Sequence, residues 1–132
     1  MSQLLDTDTC ALIIRQIPPA STRFAQRTEP LYLSAVSITE LEIWLLRRRT
    51  PLRYQQPYFN LQQAVTILDV TEPIAHRAAL LSVAAGRKGP KLGLGDALVA
   101  ATALERGLTL VTHSTGRFAS VAGLTALDWA AP

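Results

Sequence analysis

Three carboxylates, Asp6, Glu40 and Asp96, are the residues of this 132-residue chain whose types could do chemistry as a group, provided that the fold brings them together. Each has a local reading when taken alone. Asp96 stands behind Gly95 in LGLGDALVAAT, residues 92–102, where it would cap a helix or occupy its first turn, stabilising by about 1 kcal/mol. Glu40 lies three residues after Ser37 and reads as the acid of a capping box. Asp6 and Asp8 suit a turn. Jointly the acids mean more. Converging carboxylates repel one another and require a cation, and a donor set made only of oxygen suits Mg²⁺ or Mn²⁺. An ion of that kind lowers the pKa of a coordinated water and stabilises charge on a phosphoryl oxygen. The chemistry that fits is metal-assisted hydrolysis of a phosphodiester.

The elements that would position these acids are short strands alternating with helices. Residues 2–5 (SQLL) read as a strand ending at Asp6, and 7–16 carry helical spacing through Cys10, Ala11, Ile13 and Ile14 until Pro18-Pro19 stops them. A strand fits 31–34, and Ser37 is the expected N-cap of a helix running to about Arg49, with Pro51 beyond it. A helix around 58–65, a strand at 67–70 and a helix over 72–85 follow. The segment GRKGPKLG, 86–93, reads as a loop. A helix over 96–106, a strand at 109–112, a short turn to Ala119 and a last strand near 125–127 complete the chain. This alternation predicts parallel βαβ units and one α/β/α sandwich over 1–132. Ligands of open parallel sheets bind beyond the carboxyl ends of the strands. Asp6 at the end of strand one, Glu40 after strand two and Asp96 opening the helix before strand four all fall on that edge.

Composition sets the class. With 48% hydrophobic and 17% charged residues there is ample material for a core. No apolar run reaches the ~18 residues that span a bilayer, and MSQLLDTDTC has no basic segment of a signal peptide. A single cysteine suits a reducing compartment, so a cytoplasmic domain is expected. The formal charge of +3 permits a polyanionic partner without demanding one. The acids are scattered, whereas Arg47, Arg48 and Arg49 form one basic block and Arg87, Lys88 and Lys91 another.

The chain resembles PIN-domain ribonucleases and, among them, the VapC toxins of bacterial toxin–antitoxin pairs. The resemblance rests on LLDTDTCAL at 4–12, LSAVSITELE at 33–42, GLGDALVAATALERGLTLVTHSTGRF at 93–118 and GLTALDW at 123–129. It implies a PIN-like three-layer α/β/α sandwich with a short parallel sheet of about five strands. It also implies Mg²⁺-dependent endonucleolytic cleavage of RNA, a cognate VapB-like antitoxin and a homodimer. By this resemblance Asp6, Glu40 and Asp96 are the family's three acids, with Asp6 and Asp96 the principal metal ligands. Two departures stand out. Relatives commonly carry Asn, and then an acid before Phe, where THSTGRF has His113 and Arg117; this leaves one or two metal ions open. Asp8 stands where many relatives have Asn and could restore the lost charge.

Auxiliary candidates are Thr112 and Ser114, whose hydroxyls could order water, and His113 at the rim. Arg87, Lys88 and Lys91 could steer an RNA backbone toward Asp96. The triple arginine at 47–49 reads as a helix end favoured by the dipole, or as a phosphate or antitoxin contact. Glu72 and His76 have the i, i+4 spacing of a metal pair but read as exposed. Cys10 reads as core. Leu41, Trp44 and Leu45 read as core or as a partner surface, and Tyr54, Tyr58 and Phe59 as cover for a core edge or as base-stacking groups. Two other functions compete. One is a degenerate PIN domain that binds RNA or antitoxin without cutting. The other is a small phosphatase using the D-x-D of Asp6 and Asp8.

Overall fold

The computed structural model describes residues 1–88 and 91–132, with Lys88 described in its backbone alone. Five strands form one parallel sheet: β1 (Gln3–Leu5), β2 (Leu31–Ser34), β3 (Thr66–Leu68), β4 (Thr109–Val111) and β5 (Ala126–Leu127), in the order β3-β2-β1-β4-β5. Leu5 lies level with Leu33 on one side and with Val111 on the other. Alternation along each strand divides the core. Leu4 and Leu110 point to the layer holding α5 (Glu72–Lys88) and α6 (Leu94–Arg106). Leu5, Leu33 and Val111 point to the layer of α1 (Thr7–Ile14), α2 (Ala20–Ala25), α3 (Ala35–Leu46) and α4 (Gln55–Ala64). The expected α/β/α sandwich with a five-stranded parallel sheet is the observed fold. No helix is long and apolar enough to cross a membrane among the described residues.

The strand order reverses at β1. The chain builds outward through β2 and β3, then returns to add β4 and β5 on the opposite side. The carboxyl ends of β1 and β4 therefore flank the topological switch point where such sheets open a crevice.

Several local expectations need correction. The N-cap of α3 is Ser34, whose hydroxyl accepts the Val36 N–H at 3.1 Å, and not Ser37. Strand β2 runs into α3 without a loop, so the last strand residue caps the helix, and Glu40 lies in the second turn outside any capping box. Helix α3 ends at Leu46; Arg47 is extended, with ψ of 138°, so the three arginines follow the helix and do not close it. Asp96 is not a cap. The N-cap of α6 is Gly93, with no side-chain bond, and Asp96 is an acid of the first turn. Helix α2 follows Pro18-Pro19, where the sequence pattern predicts no helix, and α4 starts at Gln55, with Pro57 tolerated in its first turn. Gly107 closes α6 with φ of 64°, the left-handed conformation that favours glycine.

Candidate active site

Asp6 follows β1 directly and is 4% exposed. It caps α1, its Oδ1 accepting the Thr9 N–H at 2.8 Å, while its own N–H donates to the Val111 carbonyl at 3.0 Å. The carboxyl is thus fixed between the ends of β1 and β4. Burial pushes its pKa above the ordinary 3.8, and the neighbouring Asp8 charge adds to this, while the Thr112 hydroxyl and Thr9 pull the other way. No cation lies within ion-pair distance of Asp6 among the described residues.

Glu40 reaches the same edge from α3. Its Oε1 accepts the Thr7 hydroxyl at 2.5 Å, and that hydroxyl also lies 3.1 Å from the Ser37 oxygen. Its Oε2 lies where a Cβ on Gly95 would come within 2.9 Å, so glycine at the start of α6 lets Glu40 approach that helix. One residue on, Asp96 is partly buried. Burial raises its pKa, Arg117 lowers it, and the charges of Glu40 and Asp8 raise it again. Each of these acids feels the charge of others: Asp6 that of Asp8, and Asp96 those of Glu40 and Asp8.

Arg117 enters this group from the 3-10 turn Thr115–Phe118. Its guanidinium lies 2.7 Å from Asp8 Oδ2 and 3.2 Å from Asp96 Oδ2. The expectation that Asp8 restores negative charge lost elsewhere is offset in place, because that charge is paired with the arginine. Thr112 is fully buried beside Asp6, and its hydroxyl oxygen accepts the Ser114 N–H at 3.0 Å. His113 is not brought to the acids; its Nδ1 lies 3.3 Å from Asp128.

A groove of about 570 Å³ is lined by Asp8 and Glu40 of the cluster and by Arg15, Arg47 and Arg49. The Trp44 and Tyr54 rings stack in its wall, 5.5 Å between centroids. Sequence reasoning missed Thr7, Arg15 and the contact at Gly95. Only Thr7 carried a signal, by standing between the two acids of DTD. Arg87 and Lys91 are exposed and line none of the described cavities, and the side chain of Lys88 lies outside the described residues. Glu72 and His76 are both exposed, 3.3 Å apart. Cys10 is fully buried.

The edge is rich in the oxygen donors that divalent cations prefer. Among the described residues no three His, Cys, Asp or Glu side chains stand together in an arrangement that holds a metal ion as it is. The donors themselves fit: all are oxygens, and Asp6 is a buried carboxylate held by neutral groups alone, which a cation would stabilise. Asp96 gives Oδ2 to Arg117, and its Oδ1 accepts no hydrogen bond among the described residues.

Comparison with known proteins bears on the family and the fold. The PIN domain profile matches residues 4–124. A tRNA(fMet)-specific endonuclease VapC of Shigella flexneri is 28% identical over 127 residues, covering 96% of each chain. The DNA-bound VapBC structure of Salmonella typhimurium superposes with a TM-score of 0.85 at 26% identity, covering 98% of both chains. VapBC2 of Rickettsia felis, bound to a promoter DNA fragment, gives a TM-score of 0.86 at 20% identity over 98% of this chain and 99% of the other, a likeness of fold. A profile match over most of the sequence also removes the phosphatase alternative: the chain belongs to the PIN domain family.

Proposed function

We propose that the chain is a Mg²⁺-dependent endoribonuclease of the VapC toxin kind, cleaving RNA phosphodiester bonds and held in check by a cognate antitoxin. The observation that carries this reading is the group of carboxylates gathered beyond the carboxyl end of β1, with Asp6 buried and without an ion-pair partner among the described residues. The family membership and the endonuclease names of relatives support it.

Asp6, Asp96 and Glu40 would hold the ion. When bound, it supplies charge stabilisation at a phosphoryl oxygen and acidifies the attacking water. The chain's own groups do the rest. Thr9 and the adjacent strand ends fix Asp6, so its oxygens need no reorganisation. Thr7 fixes Glu40. Arg15, Arg47 and Arg49 offer the groove a positive wall for an RNA backbone, and Trp44 and Tyr54 offer it an aromatic one. The antitoxin and a second copy of the chain have exposed apolar side chains to cover, including Ile43, Leu46 and Phe59 on α3 and α4 and Leu80 and Val83 on α5. An RNA target places the protein in the cytoplasm, consistent with its one buried, unpaired cysteine.

One observation favours a second reading. Arg117 already neutralises part of the acidic cluster, as it would in a domain that holds RNA or antitoxin without cutting. Incubating total RNA with the purified protein, with Mg²⁺, with EDTA, and with Asp6→Ala decides between them. Discrete Mg²⁺-dependent products lost in the variant support the nuclease. RNA retained intact by folded, antitoxin-free protein overturns it in favour of binding alone.

A further inference from the structure

We propose that Arg117 is the built-in cation of the acidic site, filling the Asp8–Asp96 half of the cluster so that the site takes one divalent ion and excludes a second. This rests on the metal-binding reading above and adds a stoichiometry to it. Four carboxylates, Asp6, Asp8, Glu40 and Asp96, gather on one edge, tied together by the Thr7–Glu40 hydrogen bond and by the guanidinium that spans Asp8 and Asp96. Their only cationic partner among the described residues is the Arg117 guanidinium, at 2.7 and 3.2 Å from Asp8 and Asp96. A guanidinium is a planar fork that stays charged at all accessible pH, so it can bridge two carboxylates as a permanent counter-ion.

The contact is held against a local penalty. Arg117 Nε is buried and has no acceptor, so the side chain leaves one donor unsatisfied while its terminal nitrogens stay on the acids. The pairing is also uneven across the site. Asp8 Oδ2 and Asp96 Oδ2 are taken, whereas Asp6, the most buried of the four acids, has neutral partners alone. An ion entering beside Asp6 meets a carboxylate that the arginine does not hold, and Asp96 can still offer it the oxygen that Arg117 leaves free. A second ion, beside Asp8, meets a fixed positive charge at hydrogen-bond distance from the oxygens it needs. Arg117 thus acts as a positioning residue that sets how many ions the site holds and where.

Metal binding, read without any RNA, tests this. Mn²⁺ titration followed by calorimetry and by the electron paramagnetic resonance signal of free Mn²⁺ should give one ion per chain for the wild type and for Arg117→Lys, which keeps the charge. Arg117→Ala should bind two, with the first ion at least about ten-fold tighter once the nearby positive charge is gone. Circular dichroism in EDTA checks that the variants are folded, and Arg117→Gln, closer in size, replaces Arg117→Ala if that variant does not fold. Two ions in the wild type, or two in Arg117→Lys, overturn the role of Arg117 and leave the metal reading standing. So does an Arg117→Ala variant with one ion at unchanged affinity. No Mn²⁺ on either the wild type or Arg117→Ala overturns both.

Discussion

Gly95→Ala separates the stability of this fold from its activity. Gly95 lies in the first turn of α6, where alanine has the higher helix propensity and gains up to about 1 kcal/mol. Its added Cβ meets Glu40 Oε2 at 2.9 Å and Oε1 at 3.6 Å, too close for the first atom to stay. The atom that must move is the far end of a flexible side chain, so the backbone need not shift. The displacement weakens the Thr7–Glu40 hydrogen bond, a loss of about 0.5–1.5 kcal/mol. The two effects nearly cancel, so the melting temperature should change by no more than about 4 °C in either direction. Activity should behave differently. A carboxylate pushed several tenths of an ångström off its position loses the fit on which catalysis depends, and RNA cleavage should fall by roughly ten-fold or more. Differential scanning fluorimetry and a gel-based cleavage assay measure the two quantities on one preparation. Full cleavage by a stable Gly95→Ala protein would refute the place given to Glu40. A drop in melting temperature well beyond that range would refute the claim that only a side chain yields.

Asp6→Asn should abolish cleavage yet stabilise the metal-free protein at neutral pH. Below 3.8 the carboxyl is protonated in folded and unfolded chains alike; as pH rises the unfolded chain loses its proton first, and the fold loses stability until the raised folded pKa is passed. In EDTA the melting temperature of Asp6→Asn should therefore pull ahead of the wild type from about pH 4 upward, and a gap independent of pH would contradict this. Replacing Arg15 and Arg49 by serine should weaken RNA binding and flatten the logarithmic salt dependence of affinity by roughly 0.7 per arginine lost; an unchanged slope in a filter-binding titration removes the groove as the RNA track.

The layer order and the edge on which the acids gather were legible because they depend on hydrophobic runs and on acids placed where those runs stop. Leu4 and Leu5 before Asp6, and the Gly-rich lead into Asp96, carry that signal locally. Helix starts were less legible. Ser34 and Ser37 are equally good caps by type, and the choice fell to the one that ends a strand feeding straight into the helix. Helix α2, six residues of ASTRFA, is too short to show a period, and its Ala20 is buried through tertiary packing. The Arg117 bridge joins residues 109 positions apart in the case of Asp8, so nothing near either residue announces it. The Gly95 contact depends on a close approach of α3 to α6 that propensity does not encode.

The position of β4 between β1 and β5 bears on how the protein is made. Asp6 and Glu40 are made before the strand that walls Asp6, which starts at Thr109 and leads directly into Thr112, and Arg117 comes later still. A nascent chain on the ribosome therefore carries the first acids without the partner strand that orders them. The acidic cluster therefore cannot assemble before Asp96, Thr112 and Arg117 have all been made.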